Sequence, residues 1–190
     1  MNLTKLFEMQ KVLDQDIIRN HPIVEGEDRL SKKILALLVE LGECANEWRG
    51  FKFWSNDQEP RTRKEEVPYY AGIPIFSDAK VTNPLLEEYV DCLHFILSIG
   101  NDLGFDIKDF EENRWSFDEG VSIQRLFALT IFHASCIEYE SSADFKLTEL
   151  YETLNLLMIL GEMLGFTEEQ IEQAYYDKNK INFERQKSGY

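Results

Sequence analysis

The segment ALLVELGECANEW, residues 36–48, spaces Glu40, Glu43 and Glu47 at helical intervals inside a run that otherwise reads as core. With Glu40 at 0° on a wheel stepping ~100° per residue, Glu43 falls at about 300° and Glu47 at about 340°. Ile34, Leu37, Leu41, Cys44 and Trp48 fill the arc from about 40° to about 120°. The acids border the apolar arc instead of opposing it. Alone, acids three residues apart describe an ordinary solvated helix face. A second pair changes the balance. Glu88 and Asp91 lie one turn apart in LLEEYVDCLHFILSIG, which is apolar almost all round and so marks a central helix. Acids are costly to bury unpaired, and Lys and Arg are scarce in both helix interiors. Two such pairs predict facing carboxylates that share divalent cations, with hard oxygen donors suited to Mg²⁺, or Mn²⁺ as a substitute. Mutual repulsion would raise their pKa values, and a metal would relieve it. A di-iron centre expects an ExxH motif. Neither ELGE nor EYVD supplies one, and only His94, three residues after Asp91, keeps that alternative open.

A different chemistry closes the chain. YYDKNKINFERQKSGY concentrates Lys178, Lys180, Arg185 and Lys187 in an otherwise acidic protein. Lys178, Asn182 and Arg185 fall at i, i+4 and i+7, so they share one helix face. By itself that face is an amphipathic last helix with cations near its C-terminal dipole end. Beside a metal-type acidic cluster it becomes a clamp for phosphate oxygens, with the guanidinium binding in bidentate fashion.

The elements that must position these groups are helical nearly everywhere. Helices are expected over roughly 2–20, 28–48, 84–103, 119–140, 144–164 and 167–187, in a single all-α domain spanning 1–190, built as a multi-helix bundle. Residues 50–83, with Pro60, Pro68 and Pro74, Pro84 directly after them, and mixed charge, read as a long loop, and a loop of that length inside a domain is usually functional or disordered. Only GIPIF within it suggests a strand. The 190 residues suffice for one sizeable core. A net charge of −15 excludes nucleic acid and anionic membranes as partners. Cys44, Cys92 and Cys136 sit in apolar helical patterns without a CxxC, as reduced residues of a cytoplasmic protein do. The amino terminus lacks a signal-peptide apolar stretch, and no apolar run approaches the ~20 residues that span a bilayer.

The chain also echoes itself. EYVDCLHFILSIGNDLGF (88–105) matches ELYETLNLLMILGEMLGF (149–166) without a gap, so that Glu88 meets Glu149, Asp91 meets Glu152 and His94 meets Asn155. The second helix resembles the fourth, with His133 and Cys136 at the Glu40 and Glu43 positions. A duplicated helical hairpin is expected, the first copy keeping the acids and the long loop, the second serving as packing.

LFEMQKVLD, VELGECANEWRGFKFW, LLEEYVDCLHFILSIG and YYDKNKINFERQKSGY, in this order and spanning nearly the whole chain, resemble the all-α nucleoside triphosphate pyrophosphatase superfamily. More narrowly, the combination of the paired acids with FKFW, DCLHF and NxxRQxxGY is similar to the dimeric dUTPase family in its bacterial and phage branch. The resemblance implies a homodimer that hydrolyses dUTP, and dUDP too, to dUMP with Mg²⁺, by attack at the β-phosphate. It implies Glu40, Glu43, Glu88 and Asp91 as the metal shell, with Glu40 orienting the attacking water. Lys178, Asn182 and Arg185 would hold phosphates, joined by Lys52. Gln10 and Asp14 match the uracil-side motif, which often has Asn where Asp14 stands. Trp54 would wall the base pocket. Phe95, on the stripe of the acids, would pack on the sugar and exclude a ribose 2′-OH, with His94 beside it about 100° round the helix. Cys92 stands where some relatives carry a second Asp.

Two other functions fit the acids: a house-cleaning pyrophosphohydrolase of the same superfamily for another nucleotide, such as dCTP or a damaged one, and a catalytically silent helical dimer that binds a protein. Gln10, Trp54 and the basic tail favour dUTP.

Overall fold

A computed structural model describes residues 1–116 and 120–189. Short polar side chains set its helix starts. Asn2, Asp28, Asn83, Asp106, Ser122 and Thr167 each accept a backbone N–H from the first turn that follows. These caps satisfy donors that have no partner inside the helix. The seven helices among the described residues are α1 (Leu3–Asn20), α2 (Arg29–Trp48), α3 (Pro84–Leu103), α4 (Ile107–Asn113), α5 (Ile123–Tyr139), α6 (Ala143–Met163) and α7 (Glu168–Ser188). The expected all-α bundle is the one found.

Three local expectations are revised. Helix α4 was not foreseen; it buries Ile107 and Phe110, and its Glu111 accepts the Leu3 and Thr4 N–H groups at the start of α1. The helix expected from 119 starts at Ile123 behind the Ser122 cap, and residue 119 lies outside the described residues. The 50–83 segment is not all loop. Strands β1 (Lys64–Glu66) and β4 (Lys80–Thr82) pair antiparallel, with Lys64 opposite Thr82 and Glu66 opposite Lys80. Inside them β2 (Tyr69–Tyr70) pairs with β3 (Ile73–Pro74) across Ala71-Gly72, both at positive φ, as a tight two-residue hairpin turn demands. This ribbon is anchored at its base: Arg61 N–H donates to the Glu47 carbonyl at the end of α2, and Leu85 N–H at the start of α3 donates to the Arg61 carbonyl.

Helices α2 and α3 pack as one pair and α5 and α6 as another, with α2 against α5 and α3 against α6. The buried Ile34, Leu37, Leu41 and Cys44 of α2 correspond in spacing to Phe127, Thr130, Ala134 and Ile137 of α5. The two copies of the echo face each other across α3 and α6. A Cβ on Gly161 would lie 2.5 Å from the Tyr89 hydroxyl, and one on Gly100 would lie 3.6 Å from Leu150, the counterpart of Tyr89. Both helices end alike, Phe105 N–H donating to Gly100 O and Phe166 N–H to Gly161 O. Helices α1 and α7 lie on the outer side of α3, which explains why α3 is apolar almost all round. Cys44 and Cys92 are buried and Cys136 half-buried, all three free. No helix among the described residues is long and apolar enough to cross a membrane.

Candidate active site

Because Ile34, Leu37, Leu41, Cys44 and Trp48 turn inward, the border of the same helix brings Glu40 and Glu43 alongside α3. There they meet Glu88. Each of the three offers a carboxylate oxygen within 4.8 Å of the others. Glu40 and Glu88 are half-buried and Glu43 is exposed. Burial first, then the charges of Asp91, Glu43 and Glu88, push the Glu40 carboxyl up to about 7. Glu88 is raised by burial and by Asp91. Such anionic, hard oxygens held close against their own repulsion are a donor set that fits a divalent cation.

Asp91 behaves differently. Its Oδ2 accepts from Lys178 Nζ of α7. Burial raises its pKa while Lys178, and beyond it Arg185, oppose the rise. The acids of α3 thus have a cationic partner after all, delivered from a distant helix. Glu47 is not a member of the triad; it lines a second cleft together with Glu88, and its charge adds to the rise of the Glu88 carboxyl.

A cavity of about 420 Å³ opens beside Glu40 and Asp91. It brings together Gln10 and Asp14 of α1, His94 and Phe95 of α3, and Lys178, Asn182 and Arg185 of α7. Lys52 and Trp54 do not line it. Lys52 donates to Asn46, and Trp54 is 64% exposed between Phe51 and Phe53. Tyr190, the end of the NxxRQxxGY pattern, lies outside the described residues.

The floor of the cavity is a fixed polar network. Gln10 Oε1 accepts from the Tyr175 hydroxyl at 2.8 Å, and Gln10 Nε2 donates to Asp14 Oδ1 at 2.8 Å. Its 2.7 Å contact with His94 Nδ1 therefore requires Nδ1 to be the protonated nitrogen. The His94 ring stacks on Tyr175 with centroids 3.9 Å apart. Burial and the Lys178 charge lower the His94 pKa to about 3, so the imidazole is neutral. Its Nε2 is then a bare acceptor, buried with no partner, and Asp14 Oδ2 is another. Ser98 donates to Asp14 Oδ1. Tyr175 and Ser98 were not foreseen. Tyr175 continues the 178, 182, 185 stripe one turn back, so that stripe was the signal; Ser98 follows His94 by one turn.

A model of the dUTPase family matches residues 2–71 and 77–190. The chain belongs to the all-α dUTPase family. It hydrolyses dUTP to dUMP. The dUTPase family is generally dependent on a divalent metal and typically oligomeric, and the carboxylate triad is the donor set such an ion needs. No curated protein matches the chain. A dUTPase has no use for the two other readings of the acids, a hydrolase for another nucleotide and a silent scaffold.

Proposed function

We propose that Glu40, Glu43 and Glu88, with Asp91 beside them, hold Mg²⁺, for which Mn²⁺ substitutes, and that the cavity lined by Gln10, Asp14, His94 and Phe95 takes the nucleoside of dUTP or dUDP. The observation that carries this reading is the triad, with its oxygens within 4.8 Å of one another at the cavity edge. When bound, the cation supplies charge neutralisation along the phosphates and a more acidic water. The chain's own groups do the rest. Glu40 orients the attacking water and takes its proton. Lys178 and Arg185 offset the acids that would otherwise repel a polyanion, and Asn182 adds an amide donor on the same face. Lys52 joins them only by swinging away from Asn46, and Trp54 only by closing toward the cavity.

The nucleoside end follows from the two unpartnered acceptors. Buried acceptors are normally satisfied, so His94 Nε2 and Asp14 Oδ2 call for ligand donors. A uracil N3–H and a deoxyribose 3′-OH are the donors this substrate has. Phe95, half-buried on the same wall, fills the space a 2′-OH would need.

The protein acts as a single-domain homodimer in the cytoplasm. Leu35 and Val39 on α2, with Phe132 and Tyr139 on α5, are exposed and offer that dimer an apolar face, and the free cysteines suit a reducing compartment. The test is a panel of dUTP, dUDP, UTP and dCTP with Mg²⁺, scored for nucleoside monophosphate formed. Preference for dUTP and dUDP supports the reading; equal turnover of UTP and dCTP contradicts it.

A further inference from the structure

A second cleft, of about 610 Å³, lies on the other side of the acid triad. Its wall includes Glu88, while Glu40 lines the first cavity. The two carboxylates offer oxygens within 4.8 Å of each other, so the triad is the partition between the two spaces. The far wall of the cleft is the ribbon. Strand side chains alternate between faces, and the β1–β4 register sets Lys64 opposite Thr82 and Glu66 opposite Lys80. All four line the cleft, as do Arg61 and Arg63. The hydrogen bonds of Arg61 to Glu47 and Leu85 fasten that wall to the helix pair that carries the triad.

Hydrolysis of dUTP to dUMP divides the substrate into a nucleoside monophosphate and pyrophosphate. One space on each side of the metal-type site matches that division. We infer that the ribbon cleft is the pyrophosphate side of the site, with Arg61, Arg63, Lys64 and Lys80 as its positioning residues. This inference rests on the proposed role of the triad and extends it to residues the sequence did not single out.

Charge decides how the cleft would work. Arg61, Arg63, Lys64 and Lys80 are balanced by Glu47, Glu66, Glu87 and Glu88. The cleft is neutral by itself, and a divalent ion on the triad tips it positive. The ion pairs of Arg61 with Asp57, Arg63 with Glu65 and Lys64 with Glu66 are exposed. Exposed pairs of this kind contribute little to stability, so a phosphate chain competes with them readily. The cleft therefore binds pyrophosphate only together with the metal, and it distinguishes dUTP from dUDP, whose second product is a single phosphate.

The experiment is calorimetric titration of pyrophosphate, and separately of dUMP, onto the full chain with Mg²⁺ present. Arg63→Gln/Lys80→Gln changes two exposed side chains outside the helical core. It should weaken pyrophosphate by at least ~10-fold, about 1.4 kcal/mol, and leave dUMP within about twofold. In kinetics kcat/KM should fall several-fold more for dUTP than for dUDP. Unchanged pyrophosphate affinity, or equal loss of both products, overturns the inference. Failure of the triad reading shows separately: Mg²⁺ titrated without nucleotide would then give no binding. A wild-type chain that binds Mg²⁺ but not pyrophosphate overturns the cleft alone.

Discussion

Lys178 of α7 donates to Asp91 of α3, so the last helix is tied across the edge of the acid triad to the central one. A cation stands where the structure would otherwise have a fourth unpaired carboxylate. The pair holds α7 against the cavity and keeps Asp91 out of the cluster formed by Glu40, Glu43 and Glu88.

Removing that cation should separate metal binding from turnover. Lys178→Met frees Asp91 and strips a positive charge from the metal site. Affinity for Mn²⁺ in the absence of nucleotide should rise several-fold. Turnover of dUTP should fall by at least ~10-fold, because the phosphates lose a partner that strengthens as charge moves. Calorimetry for the metal and a pyrophosphate assay for the rate check the two halves. Weaker Mn²⁺ binding in the variant would mean that Lys178 supports the site instead of competing for it.

Glu40→Gln keeps the volume and loses the base. Turnover should drop by at least ~10², with the helical circular-dichroism signal unchanged. A variant that turns over dUTP at near wild-type rate under saturating Mg²⁺ removes Glu40 from the role of base.

The same residue predicts a pH dependence of stability. In the metal-free chain its carboxyl is raised to about 7 from an ordinary 4.5. The folded state therefore binds more protons than the unfolded one between these values. The stability this contributes is fully present below about pH 4.5 and is lost as pH rises through about 7. His94 works in the opposite sense below its ordinary 6.5, because it is held neutral down to about 3. Comparison with Glu40→Gln isolates the acid. Wild-type Tm should fall relative to the variant from about pH 5 to about pH 8, and Mg²⁺ should abolish the fall. Parallel Tm curves for the two proteins would contradict the shifted carboxyl.

Asp14→Asn turns a buried acceptor into a donor without changing its size. If Asp14 Oδ2 meets a ligand donor, KM for dUTP should rise roughly tenfold, the equivalent of about 1.4 kcal/mol, with kcat little changed. An unaltered KM would place the nucleoside elsewhere in the cavity.

What the sequence revealed and what it hid divide along physical lines. Helix α3 was recognisable as central because apolar residues surround it and two acids interrupt them, and both properties are local in sequence. The triad followed from acids bordering an apolar arc. Helix α4 was not recognisable, since seven residues are too few to establish a period; its purpose lies in Glu111 capping a helix more than a hundred residues away. Apart from GIPIF, which holds β3, the ribbon escaped because its strands are two or three residues long and mostly exposed, leaving no alternation of apolar and polar side chains. The pairing of Lys178 with Asp91 joins positions 87 apart, which no spacing rule within one helix could connect.

The most direct measurement of the central claim is pyrophosphate release from dUTP as a function of Mg²⁺, in the wild type and in Glu88→Gln. Glu88 is the one member of the triad contributed by α3. The account predicts no release by the metal-free wild type, saturable activation by Mg²⁺, and a requirement for at least ~10-fold more Mg²⁺ in the variant. Release by the metal-free enzyme, or the same Mg²⁺ dependence in both proteins, would contradict it.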